Sequence, residues 1–256
     1  MALTVYPPSE ALRPFIRSLT IEETAEPAIY KVLPGTSAVM GFQFRGQLSI
    51  VAPTDTPLAA SGITGLQDSF RLFRNSAGTG TLLVNFTETG ASHFFNSPLH
   101  LLFNGSYSLG DFIPASESRR LEEQLTVAPD HSKRVALVER WLLHRLSPEK
   151  KDLLIEAAVA RIHSAKGQLR VASLSQELYI SPGRLEKRFR ALVGTSPKKF
   201  AGLVRLQQLL KATPVNGDLT ALAYEAGYFD QAHFIHDFTA YTGLTPADFF
   251  RSAKGR

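Results

Sequence analysis

The chain contains no cysteine, which excludes disulfides, thiolate nucleophiles and cysteine-ligated zinc, and with them every zinc-finger reading. That absence fits a reducing compartment. No apolar run reaches membrane-spanning length, and the opening MALTVYPPSEALRPFIRS lacks the basic start and long apolar core of a signal peptide. A cytoplasmic protein without a membrane partner is the expectation. Neither a Gly-x-Ser-x-Gly elbow nor a phosphate-cradling glycine loop occurs, so two frequent enzymatic signatures are missing.

What is present is a globular composition, 44% hydrophobic and 20% charged over 256 residues, long enough for one large domain or two ordinary ones. Charge is unevenly spread. Residues 1–150 hold 13 Lys+Arg against 14 Asp+Glu, whereas residues 151–256 hold 15 against 9. A basic C-terminal half suits a polyanionic partner, since each neutralised phosphate releases counterions; a merely solvated basic face is the plain alternative.

Strand-like runs IYKVL, SAVMGFQF, QLSIV, SFRLF and TLLVNF occupy residues 29–87, separated by Pro34-Gly35, Gly46, Pro53-Thr54-Asp55 and Gly78-Thr79-Gly80. They predict a β-rich barrel or sandwich-like domain over 1–130. Helical periodicity is weak until about residue 117. A helix is then expected from Ser132, as N-cap, to Pro148, with Val135, Val138, Trp141, Leu142 and Leu146 on one side. This 131–148 segment reads as a linker helix, and its surplus apolar residues Leu137 and Trp141 suggest either dimerisation or packing between halves. Residues 149–256 read as all-α, giving an α+β chain overall.

Within that helical region one spacing occurs twice: Leu185-x3-Phe189-x4-Gly194-x-Ser196-Pro197 and Phe234-x3-Phe238-x4-Gly243-x-Thr245-Pro246. Leu174 and Leu178 precede Leu222 and Ala226 by 48 residues, while everything after the turn repeats at 49, so the second copy has one extra turn residue. Each copy reads as a helix-turn-helix: a support helix, a tight turn, and a second helix whose first residues are free to meet base edges. In the first copy Tyr179-Ile180 form the turn and Ser181-Pro182 begin the second helix, leaving Gly183, Arg184, Lys187 and Arg188 outward. In the second, Gly227 permits the turn, Asp230 caps, and Gln231, Ala232, Ile235 and His236 lie outward. Arg184 and Lys187 suit guanine or phosphate, and Gln231 suits adenine. Arg188, Arg190, Lys198, Lys199 and Arg205 are further phosphate candidates.

The segment LSQELYISPGRLEKRFRALVGTSPKKF together with LTALAYEAGYFDQAHFIHDFTAYTGLTPADFF resembles the DNA-binding domain of AraC-type transcriptional regulators. Ala223, Gly227, Tyr228, Asp230, His233, Phe234, Phe238, Gly243, Thr245 and Pro246 carry the second-unit pattern. The resemblance implies double-stranded DNA and RNA polymerase as partners, with recognition by positions 182–188 and 231–236. It also implies a first half that senses a small-molecule effector or mediates homodimerisation. Two departures stand out: His236 replaces a frequent Arg, and Phe229 replaces a small residue at the turn tip. Phe229 is expected to pack beneath its helix, contact with a thymine methyl being the alternative.

Two rival readings stay in view. One is a helical interaction module that binds no DNA. The other is a cupin-like metal enzyme, for which His93 and His100 lack the His-x-His or His-x-Glu spacing a metal motif usually shows. Phe86, His93, Phe94, Phe95 and His100 would line a pocket or else a packed core. No catalytic residue, metal ligand or cofactor is assigned.

Overall fold

The computed structural model describes residues 2–51, 55–148, 151–212 and 219–254. Pro53 and Thr54, read as turn residues, and positions 149 and 150, read as the start of the all-α region, lie outside these. The first half is built from antiparallel strands β1 (Ala2–Tyr6), β2 (Ile16–Thr24), β3 (Ala28–Val32), β4 (Val39–Arg45), β5 (Leu48–Val51), β6 (Thr56–Pro57), β7 (Ser61–Thr64), β8 (Arg71–Asn75), β9 (Thr79–Phe86) and β10 (Ser106–Ser108). They form a six-stranded sheet ordered β1-β2-β9-β4-β7-β10 and a four-stranded sheet ordered β3-β8-β5-β6. This is the expected α+β, sandwich-like arrangement, with both sheets open.

Alternation explains which face is buried. Met40, Phe42 and Phe44 on β4, and Leu82, Val84 and Phe86 on β9, point to one side at period two. Helices α1 (Ala115–Val127) and α2 (His131–Arg145) contribute to the same core through Leu121, Leu125, Val135, Val138, Trp141 and Leu142. Trp141 meets Phe42 edge-on with centroids 6.2 Å apart and donates its indole N–H to Glu117 at 2.7 Å. The helix expected between the halves therefore packs with the strands. Its surplus apolar residues, Leu137 and Trp141, are spent in that core.

Two expectations about this helix need correction. Its N-cap is Asp130, whose carboxylate accepts from the Lys133 N–H at 2.8 Å, so Ser132 lies inside the first turn. Its last residue is Arg145, three residues short of Pro148. An ionised acceptor on extended backbone outcompetes the hydroxyl two residues later. The aromatic run 93–103 forms packed structure: Phe86, His93, Phe94 and Phe95 are buried, and the Phe86 and Phe94 rings lie 5.5 Å apart.

The second half contains α3 (Leu153–Ser164), α4 (Val171–Glu177), α5 (Pro182–Val193), α6 (Pro197–Lys211), α7 (Leu219–Glu225), α8 (Gln231–Thr242) and α9 (Pro246–Lys254). One core gathers Ile155, Ile162, Leu174, Leu185, Phe189, Phe200 and Val204. Another gathers Leu206, Leu209, Leu222, Tyr228, Phe234 and Phe238. Helix α6 thus serves both, one half in each.

Candidate nucleic-acid interface

The two turns that aim α5 and α8 close by the same backbone device. In the first, the Tyr179 N–H donates to the Gln176 carbonyl at 3.1 Å and the Ile180 N–H to the Ser175 carbonyl at 3.0 Å. In the second, Gly227 donates to Tyr224 at 2.9 Å and Tyr228 to Ala223 at 3.0 Å. Both are Schellman closures, which need a left-handed residue after the helix. Gly227 supplies it at φ 79°, as expected; Tyr179 supplies it at φ 52°, a region that disfavours side chains.

Each turn delivers a helix start to solvent. Ser181 occupies the N-cap of α5 and Pro182 its first position, but the Ser181 hydroxyl makes no capping bond. Gly183, Arg184 and Lys187 follow, all exposed. On α8, Asp230 caps through a 2.7 Å bond from the His233 N–H, and Gln231, Ala232, Ile235 and His236 are exposed behind it. The predicted residues therefore form two clusters, one on each helix start. Arg184 and Lys187 have no ion-pair partner among the described residues, while His233 and His236 both approach Asp237, at 3.5 and 3.6 Å.

Arg188 differs from its neighbours. Its guanidinium embraces Asp152 with three bonds of 2.7 to 3.0 Å, and Asp152 also caps α3 by accepting from Ile155 at 3.2 Å. Lys199 and Arg205, considered for phosphate, are also engaged. Lys199 binds Asp68 at 2.5 Å and lies over the Phe103 ring, and Arg205 lies over Tyr228. Burial pushes the Asp68 carboxyl up, and the hydrogen bonds and charge of Lys199 together with Asn104 more than reverse this, leaving it below the usual carboxylate range.

The opposite ends of α5 and α8 meet the β-rich half. Both helices end on left-handed glycines. A Cβ on Gly194 would lie 3.3 Å from the Leu99 carbonyl oxygen and 3.4 Å from Leu66, and one on Gly243 would lie 2.3 Å from Phe70. Lys31 donates to the Thr242 carbonyl at 2.9 Å, at the negative end of α8, and its ammonium sits over Phe70. Elsewhere Glu88 joins the halves, paired with His163 at 2.6 Å and with Arg17. Burial raises the Glu88 carboxyl, and the hydrogen bond to His163 and the charge of Arg17 outweigh it, bringing it down to about 2. Between the halves, a cavity of about 710 Å³ opens among Phe95, Pro98, Asp152, Leu154, Arg188 and Leu192.

Comparison with known proteins bears on the same region. A family model described as a helix-turn-helix domain matches residues 174–252, from α4 into α9. The likeness therefore lies in the helical half and is to helix-turn-helix domains. An uncharacterised HTH-type transcriptional regulator of Haemophilus influenzae is 28% identical over 127 residues, covering 48% of this chain. The chain spans only 41% of that relative's length. Among solved structures, ToxT of Vibrio cholerae O395 aligns over 92% of this chain and 97% of its own at 12% identity, with a TM-score of 0.45. The C-terminal domain of AraT from Geobacillus stearothermophilus covers 42% of this chain and 88% of its own at 23% identity, with a TM-score of 0.36.

His93 is buried, its Nδ1 3.0 Å from the Ser147 carbonyl and its ring 4.5 Å from Phe15. Among the described residues no three His, Asp or Glu side chains gather as a metal would require. Sequence reasoning missed the Arg188–Asp152 pair and the left-handed Tyr179. The first joins residues 36 apart through the tertiary fold, and the second has no glycine to announce it.

Proposed function

We propose that this protein is a sequence-specific transcription regulator of AraC type, whose α5 and α8 read adjacent major-groove segments of double-stranded DNA. The observation that carries the reading is an asymmetry along each recognition helix: the N-terminal turn is exposed, while the C-terminal glycine abuts the β-rich half. A helix held by its far end, with its near end free, is arranged to enter a groove. On α5, Arg184 and Lys187 contact guanine edges or phosphate, Ser181 and Pro182 bring the helix start to the backbone, and Gly183 permits close approach. On α8, Gln231 matches adenine, Ala232 permits approach, and Ile235 and His236 complete the surface. Arg188 joins the phosphate contacts only when its pair with Asp152 opens.

The β-rich half with α1 and α2 is the proposed sensor for a small-molecule effector and the site of homodimerisation, its boundary falling between α2 and α3. The effector acts through the contacts at Gly194 and Gly243, which set how the two helix starts lie relative to each other. Bound regulator then contacts RNA polymerase in the cytoplasm. The reading contains no catalytic step and no cofactor.

Selection of bound sites from random duplexes by the full-length protein tests this. Enriched sequences should contain two elements about one helical turn, roughly 10 base pairs, apart, and affinity should fall steeply with salt. Failure to bind any duplex pool at low salt would leave the helical interaction module as the better account.

A further inference from the structure

Tyr179 and Phe229 are the two most exposed large hydrophobic side chains among the described residues, at 97% and 89%. Both stand in the turns just before the recognition helices. Tyr179 lies two residues before the Ser181 N-cap, and Phe229 immediately before the Asp230 N-cap. Phe229 was expected to pack beneath its helix; instead Tyr228 takes the inward place, 4% exposed and 5.4 Å from the Phe234 ring, and the extra turn residue is displaced outward. Tyr179 is disfavoured twice, by an uncovered ring and by a left-handed backbone that the corresponding Gly227 adopts without strain. Backbone hydrogen bonds close the turn at Tyr179, but no described residue covers either ring.

From this we infer that the two turns present aromatic contacts to the duplex, with Phe229 reading the C5-methyl of a thymine in the major groove and Tyr179 lying along the sugar–phosphate backbone. The assignment rests on the duplex-binding reading given above. Charge separates the two roles. Beside Phe229 stand the Asp230 carboxylate and, further along α8, Asp237 with its two histidines, so phosphate is repelled there and an apolar base feature is the suitable partner. The helix that follows Tyr179 carries the exposed Arg184 and Lys187 in its first two turns, cations that draw phosphate toward this unit and so toward a phenol able to donate to it. The second unit, whose recognition helix carries no Lys or Arg, thereby gains an aromatic means of recognition beside the apolar Ile235.

The test begins with a duplex selected by the full-length protein, in which each thymine is replaced singly by deoxyuridine, removing one methyl and nothing else. Wild-type protein should lose about fourfold in affinity at one thymine under α8, the worth of one buried methyl-sized group. Phe229→Ala should show that loss on the unmodified duplex and no further loss with deoxyuridine, while its thermal midpoint stays unchanged. Equal deoxyuridine sensitivity in Phe229→Ala and wild type, or no sensitive thymine, would overturn the Phe229 assignment while leaving DNA binding intact. For the other turn, Tyr179→Gly should raise the thermal midpoint by relaxing the backbone, yet weaken binding several-fold. Unchanged or tighter binding by Tyr179→Gly would overturn the Tyr179 assignment. Absence of binding to every duplex would remove the underlying reading itself.

Discussion

The two helix-turn-helix units share a closing device, a core phenylalanine and a left-handed C-terminal glycine, but they differ at every point where a unit meets something outside itself. The first carries its charge on a helix start without a side-chain cap, and fixes one of its arginines to Asp152. The second has a strong aspartate cap and histidines drawn to a neighbouring acid. Contact with the β-rich half also differs in kind. Unit one is attached through carboxylates, Glu88 to His163 and Asp68 to Lys199, whereas α8 is attached through Lys31 on a backbone carbonyl. Duplicated scaffolds can thus keep their cores and diverge in how each is restrained and what each contacts.

The shared part should respond alike. Phe189→Ala and Phe238→Ala each empty a fully buried site and should each destabilise by about 3 to 5 kcal/mol in urea unfolding. A large inequality would break the equivalence of the two cores. On the contacting surface, Lys187→Ala should weaken duplex binding by about 1 to 3 kcal/mol, and His236→Ala, at the equivalent place, by less. Titration on the selected site measures both, and a larger loss at His236 would reverse the division of affinity between the units.

Capping separates the units more finely. Asp230→Ala removes a real cap and should destabilise by about 1 kcal/mol, while Ser181→Ala should change stability by only a few tenths. Smaller again is the effect of Asp152→Asn, which keeps an oxygen for the α3 cap and loosens Arg188. Duplex affinity should rise modestly, and the salt slope should steepen by about one phosphate contact. An unchanged slope would mean that Arg188 never reaches DNA. The last contrast is pH. Glu88 is depressed to about 2 from an ordinary 4.5, so its stabilisation of the contact is complete above 4.5 and is lost as pH falls from there through about 2. The Lys31 contact has no titrating acceptor in that range. Acid should therefore loosen unit one before unit two, and Glu88→Gln should narrow the difference to what the Asp68–Lys199 pair sustains, as hydrogen exchange of α3 and α8 can show.

Much of this was readable from spacing alone. Asp230, Gly227 and the helix from Pro182 to Val193 lie where local chemistry puts them, because capping and turn signals act over four or five residues. β2 escaped notice since Arg17, Glu22 and Glu23 interrupt its alternation, and β7 and β10 are too short to show a period. Phe229 was misplaced because two adjacent aromatics compete for one inward position, and the winner is decided by packing against Phe234. The binding of Arg188 by Asp152 is invisible to any local pattern.

Helix α6 has a consequence for how the region comes apart. Because Phe200, Leu203 and Val204 belong to one core and Leu206 and Leu209 to the next, removing either unit strips half of this helix of its burial. The amides of Pro197–Lys211 should then exchange with solvent as a single block with those of both flanking units, opening and closing together. Neither unit is a separable foldon, and a chain cut between them should yield two unstable halves.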